Sequence, residues 1–186
     1  MKKPVKSLTA AQKRVLIAKD TIKWLNSNNI EAKSGEYFLA PSMGIKIKSL
    51  NDKLGAALAR TKKSCKVCAL GGMFYSMVRR FDKVTVGRGD ITNRCLGDYL
   101  TFVESSVVFS ELGKYFPHHQ LAMIESAFEM IDMIDWEDHD HIGDAEVDRS
   151  ILFAQKPDYS GDGKSPASRL RMIMENVVEN NGVFKP

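Results

Sequence analysis

Residues 64–81, SCKVCALGGMFYSMVRRF, limit what this chain can fold into more than any other stretch. Val67, Leu70, Phe74, Met77, Val78 and Phe81 recur at steps of three and four, the spacing of one side of an α-helix. Such a run has to be covered by other elements, so it predicts a central core helix. Gly71 and Gly72 in its middle would let another element approach the backbone closely, Cys65 and Cys68 open it, and Arg79 and Arg80 close it.

The rest of the chain reads as elements that pack around this helix. Thr9 is an N-cap for a helix ending near Asn26, with Ala11, Val15, Ala18, Ile22 and Leu25 inward and Lys13, Arg14, Lys19, Asp20 and Lys23 outward. Ile30-Glu31-Ala32 and Tyr37-Phe38-Leu39 flank a glycine-containing turn, the pattern of a hairpin, and Ile45-Lys46-Ile47-Lys48 alternates as a half-exposed strand does. Ser49 with Asp52 suggests a capped helix carrying Leu54, Ala57 and Leu58. Asp90 suggests another, with Ile91, Leu96, Tyr99, Leu100 and Val103. A short helix from Ser105 or Ser106 ends at Pro117, which starts the next, lined by Leu121, Ile124, Phe128 and Ile131. Residues 132–148 hold eight acidic residues and neither Lys nor Arg, and read mostly as loop. Residues 150–154 read as a short helical turn, and residues 155–164 as loop. Ser165-Pro166 starts a last helix that Asn180-Asn181-Gly182 stops, after which Val183 and Phe184 tuck onto the core. The expected fold is mainly α: one domain over residues 1–186, a basic lead-in at 1–8, about seven helices, and a small antiparallel hairpin or sheet near residues 30–48.

Charge is divided along the chain. Residues 1–94 carry 20 Lys and Arg against 6 Asp and Glu, whereas residues 95–186 carry 7 against 17, within an overall net charge of +4. The two halves can screen each other, or they can offer a basic face to nucleic acid or an acidic face to a basic partner. Lys62, Lys63, Lys66, Arg79 and Arg80, at the two ends of the central run, are the candidate contacts for a nucleic acid or protein partner. No apolar run approaches the roughly 18–20 residues that span a bilayer, and the basic start is not followed by an apolar signal core. A cytoplasmic protein with reduced thiols is expected, since three cysteines cannot all pair within the chain.

Motifs for catalysis are sparse. Cys65 and Cys68 form a CxxC, which at a helix start suits zinc or redox chemistry. Neither a second ligand pair at finger spacing nor a βαβ context accompanies it, so the pair reads as structural. His139-Asp140-His141 in the acidic segment are the metal-ligand candidates, two imidazoles and a carboxylate suited to a divalent cation. Asp158 to Gly163 has the first half of an EF-hand loop, but Arg169 stands where the bidentate Glu is needed. Gly87-Arg88-Gly89 reads as a turn, and no P-loop, nucleophile elbow or kinase signature is present. The run CKVCALGGMF and the ending RLRMIMENVVENNGVFKP resemble small uncharacterised proteins of bacterial and phage genomes. That resemblance implies a bacterial cell or its virus as context, and no catalytic residue. The leading expectation is a non-enzymatic macromolecule-binding protein without a cofactor, pictured as an accessory or inhibitor factor of a phage or mobile element acting on nucleic-acid handling or host defence. The alternative is a metal-dependent hydrolase or nuclease using His139, Asp140 and His141.

Overall fold

Thr9 starts the first helix by a reciprocal cap: its Oγ1 accepts from the Gln12 N–H at 3.2 Å, and Gln12 Oε1 accepts from the Thr9 N–H at 3.0 Å. This helix, α1 (Ala10–Asn26), opens a computed structural model that describes residues 8–35, 37–41, 53–60, 64–81, 84–85, 91–96, 99–103, 105–130, 144–154 and 165–186. After α1 come β1 (Ile30–Ala32), β2 (Phe38–Pro41), α2 (Leu54–Ala59), β3 (Cys65–Val67) and α3 (Ala69–Phe81). Then follow β4 (Ile91–Leu96), β5 (Tyr99–Val103), α4 (Ser105–Leu112), α5 (His118–Glu129), α6 (Asp144–Ala154) and α7 (Pro166–Glu179). The protein is thus mainly α, with seven helices and one small sheet among the described residues. None of the described helices is long and apolar enough to cross a membrane.

The core is built on α3. Residues 69–78 are buried on every face of the helix, the pattern of a helix enclosed by others and not of one lying on a surface. Helices α1, α2, α4 and α5 pack around it. Phe74 is fully buried and meets Phe38 of β2 edge to face, with ring centroids 5.7 Å apart. Between α1 and α3 runs a buried polar seam: Thr21 Oγ1 and Ser76 Oγ lie 2.9 Å apart, and Ser76 donates to the Gly72 carbonyl. Every hydroxyl in the seam is satisfied, which keeps its burial inexpensive.

The sheet differs from the expected local hairpin. Its order is β1-β3-β2-β5-β4, with β1 parallel to β3 and the other pairs antiparallel. The strands 30–32 and 38–41 do not pair with each other, because β3 lies between them. Cys65 and Val67 are both fully buried, and a strand that buries its alternate side chains gains by sitting inside a sheet with a neighbour on each side. The central helix correspondingly starts at Ala69, not at residue 64. Residues 91–103 are also a correction: they form the β4–β5 hairpin, with Ile91 opposite Val103 and Leu96 opposite Tyr99, and not a helix. Ile, Thr, Tyr, Phe and Val supply six of its thirteen residues, and only Gly97-Asp98 separates the two runs in the sequence, a combination favouring a tight hairpin over a helix. Helix α6 begins at Asp144, so the acidic segment turns helical before residue 148. The expected strand at 45–48 and the Ser49 cap lie outside the described residues.

The C-terminal end is anchored. Ser165 caps α7 with Pro166 behind it, and Gly182 turns the chain at φ 90° with its N–H on the Val177 carbonyl. Phe184 is buried, and its N–H donates to Gln120 Oε1 at 2.6 Å. Arg14, expected to face outward, donates from Nε to the Gly182 carbonyl at 2.7 Å and from Nη1 to the Tyr115 carbonyl at 3.1 Å. It thereby ties α1 to two other parts of the chain.

Two stability measurements check this core. Phe74→Ala should lower the unfolding free energy by about 3–5 kcal/mol in denaturant titration. A Cβ at Gly71 would lie 1.5 Å from the Tyr37 carbonyl oxygen, whereas at Gly72 it would meet the Thr21 methyl at 3.3 Å. Gly71→Ala should therefore cost more than about 3 kcal/mol, and clearly more than Gly72→Ala.

Candidate functional site

The junction of β3 and α3 gathers ionisable side chains that have no place in an ordinary core. Cys68 is the residue before α3, and its Sγ accepts from the Gly71 N–H at 3.4 Å while its carbonyl accepts from the Gly72 N–H at 2.9 Å. It fills the N-cap position with a thiol in place of a hydroxyl or carboxylate. The adjoining Leu70 N–H is directed to the Glu125 carboxylate. Two of the amides that a helix start leaves without partners thus serve a sulfur and a carboxylate.

Helix α5 supplies two acids, Glu125 and Glu129, one turn apart and so on one face. One donor atom each from Cys68, Glu125 and Glu129 lies within 4.8 Å of the others. Glu125 is 1% exposed, and its Oε2 accepts no hydrogen bond. Glu129 is held from the β1–β2 connection: the Gly35 N–H sits 3.1 Å from each of its carboxylate oxygens, and the Ser34 hydroxyl also bonds it. Arg169 of α7, 7% exposed, donates from Nε to the Phe128 carbonyl at 2.8 Å and from Nη2 to Ser34 Oγ at 3.1 Å. Its guanidinium also acts on Glu129 through space.

Burial dominates the electrostatics. It pushes the Glu125 carboxyl up to about 8; the Glu129 charge adds to this, and contacts with Cys68, the Leu70 N–H and Tyr37 oppose it. Burial and the facing Glu125 hold the Cys68 thiol well above its ordinary range. Tyr37, whose carbonyl rests on Gly71, has a hydroxyl made far less acidic than usual, by burial first and then by Glu125. Glu129 is raised by burial, and the Gly35 N–H, the Ser34 hydroxyl and Arg169 partly restore its acidity. At neutral pH the site therefore holds a thiol and a protonated Glu125 beside Glu129. Such a group can share a proton or exchange protons for a cation; the protonated thiol is a poor nucleophile.

The residues suggested by the sequence are distributed differently. Cys65 and Cys68 are both buried free thiols, and burial lifts Cys65 to about 12 against the pull of Arg79. Lys66, half-buried on β3, lies opposite Glu31 and Leu39. Arg79 and Arg80 end α3, about 18 Å from Cys68 at 1.5 Å rise per residue. Arg80 Nη2 donates to Asp20 Oδ1 at 2.7 Å, part of a two-pronged ion pair. The Arg79 guanidinium carbon lies 4.7 Å from the Trp24 ring centroid while Nη1 donates to the Tyr75 hydroxyl at 3.4 Å, and Lys23 Nζ lies 4.5 Å from the same indole ring. Lys62, Lys63, His139, Asp140 and His141 lie outside the described residues.

Glu125 and Glu129 escaped the sequence reading because both stand beside the apolar stripe Leu121, Ile124 and Phe128, where an acid is ordinarily read as solvated. Their i, i+4 spacing was the available signal. Comparison with known protein families, curated proteins and solved structures finds no match to this chain.

The raised Glu125 pKa gives a signed prediction. The unfolded carboxyl ionises near 4.5, while the folded one keeps its proton to about 8. The native state thus binds more protons between these values, so this stabilisation is complete below pH 4.5 and is lost as pH rises to about 8. The slope from one proton is at most ~1.4 kcal/mol per pH unit. The thermal unfolding midpoint between pH 5 and 8 should fall less steeply in Glu125→Gln, which keeps the neutral shape beside Cys68, Tyr37 and Glu129. Identical slopes in the two proteins would contradict the assignment.

Proposed function

We propose that this chain is a non-enzymatic binding protein that engages the phosphates of a nucleic acid through the outer face where α1 meets the end of α3. The observation that supports this is the convergence of Lys23 and Arg79 on Trp24. An arginine held against an indole, with Nη1 donating to the Tyr75 hydroxyl at 3.4 Å, still has N–H groups to offer a phosphate and loses little freedom on binding. Lys19 stands one turn from Lys23 on exposed helix, and Arg80 lies next to Arg79. Asp20 is the acid beside them, and its pairing with Arg80 leaves Lys19, Lys23 and Arg79 as the principal contacts. The strongly basic first half of the chain, in which all these residues lie, is consistent with the same reading. The bacterial or phage setting rests on the sequence resemblance alone. The alternative, a metal-dependent hydrolase built on His139, Asp140 and His141, rests on residues outside the described ones.

Fluorescence anisotropy with short labelled DNA and RNA oligonucleotides tests the proposal. Affinity should fall steeply with salt, and Lys23→Gln and Arg79→Gln should each lower the log–log salt slope by about 1 while weakening all sequences alike. Absence of binding, or binding that salt leaves unchanged, would remove the nucleic-acid reading and leave a protein partner.

A further inference from the structure

We infer that Cys68, Glu125 and Glu129 form a binding site for one divalent transition-metal ion of the zinc class. The three donor atoms already lie within 4.8 Å of one another. A tetrahedral cation bonded at about 2.0–2.3 Å to sulfur and oxygen would hold such donors roughly 3.4–3.7 Å apart, a closure of about 1 Å that side-chain rotation can supply.

A second observation points to a ligand. Glu125 is 1% exposed, and its Oε2 has no hydrogen-bond partner. A buried carboxylate oxygen in that condition calls for something to occupy it, and here it belongs to the carboxylate that faces the other two donors. The surroundings also suit a cation complex. The Gly71 N–H fixes the sulfur, the Gly35 N–H and Ser34 fix Glu129, and Arg169 braces Ser34 and the α5 backbone. These contacts orient the donors from outside, as second partners do in metal sites. Charge closes as well: a thiolate and two carboxylates carry three negative charges, and a dication with Arg169 supplies three positive ones.

The donor set selects the metal. Sulfur favours zinc, cobalt or ferrous iron over magnesium and calcium, which require oxygen shells of six or more. Three protein donors leave a fourth position open in a tetrahedral ion. The inference is independent of the nucleic-acid reading, since the site and the Trp24 face lie at opposite ends of α3.

Cobalt(II) titration of the full chain, freed of metal by a chelator, is the direct test, because a cobalt–thiolate bond gives a near-ultraviolet charge-transfer band. One equivalent should produce the band, and zinc should remove it while magnesium should not. Cys68→Ser should abolish the band, and Glu129→Gln should weaken cobalt binding at least tenfold with an unchanged circular dichroism spectrum. Cys95→Ser and a His139→Ala/His141→Ala double variant should keep the band. No band in the wild-type chain, a band that survives Cys68→Ser, or a band lost with Cys95 or the histidines would each overturn the inference.

Discussion

The Tyr37 carbonyl rests directly on the backbone of α3 at Gly71, and much of the architecture follows from that contact. A side chain there would drive the two apart, since its Cβ would fall 1.5 Å from the oxygen. Because the approach is open, β2 can follow the start of α3, Phe38 can reach Phe74, and β3 can lie between β1 and β2. The same approach brings the β1–β2 connection over the end of α5, where the Gly35 N–H meets Glu129. One glycine thus sets both the packing of the central helix and the enclosure of the carboxylates.

Enclosing those carboxylates works against stability. A core of this size could be completed with leucine at position 125, and replacing buried ionisable groups by apolar ones is often neutral or stabilising. Instead the chain keeps Glu125 protonated by burial and leaves one of its oxygens without a partner. It also caps its central helix with a thiol, where serine or aspartate would serve the helix better. Three departures from ordinary packing within one small volume are the reason for reading the volume as a site. The Trp24 face is different in kind: its cations are half-exposed or exposed, so their charges remain available to an anionic partner.

Much of the framework was legible in the sequence because its signals are local. Thr9 with Gln12, Pro117, Ser165 with Pro166 and Gly182 mark helix ends by short-range chemistry, and the structure uses each of them. The stripe from Leu70 to Phe81 identified the core helix for the same reason. Strand partners are set by distant residues. Nothing in Cys65-Lys66-Val67 announces a strand that inserts between two others, and the apolar spacing that begins at Val67 disguises it as helix. At 91–103 the mixture of Leu, Tyr and Val satisfied a helical spacing as well as a strand alternation. The candidate site was hidden for a further reason. Cys68 is separated from Glu125 by more than fifty positions, and only the fold shows that these two meet. The CxxC spacing puts two cysteines together that the fold uses differently, since Cys65 faces the core from β3 while Cys68 caps α3.

Crystals grown with zinc and measured above and below its absorption edge would test the central claim, that the β3–α3 junction is a built site, most directly. The account predicts one anomalous peak at bonding distance from Cys68 Sγ and from carboxylate oxygens of Glu125 and Glu129, with Arg169 still against Ser34. A peak elsewhere, or none, with Glu125 Oε2 bonded to a protein group, would contradict it.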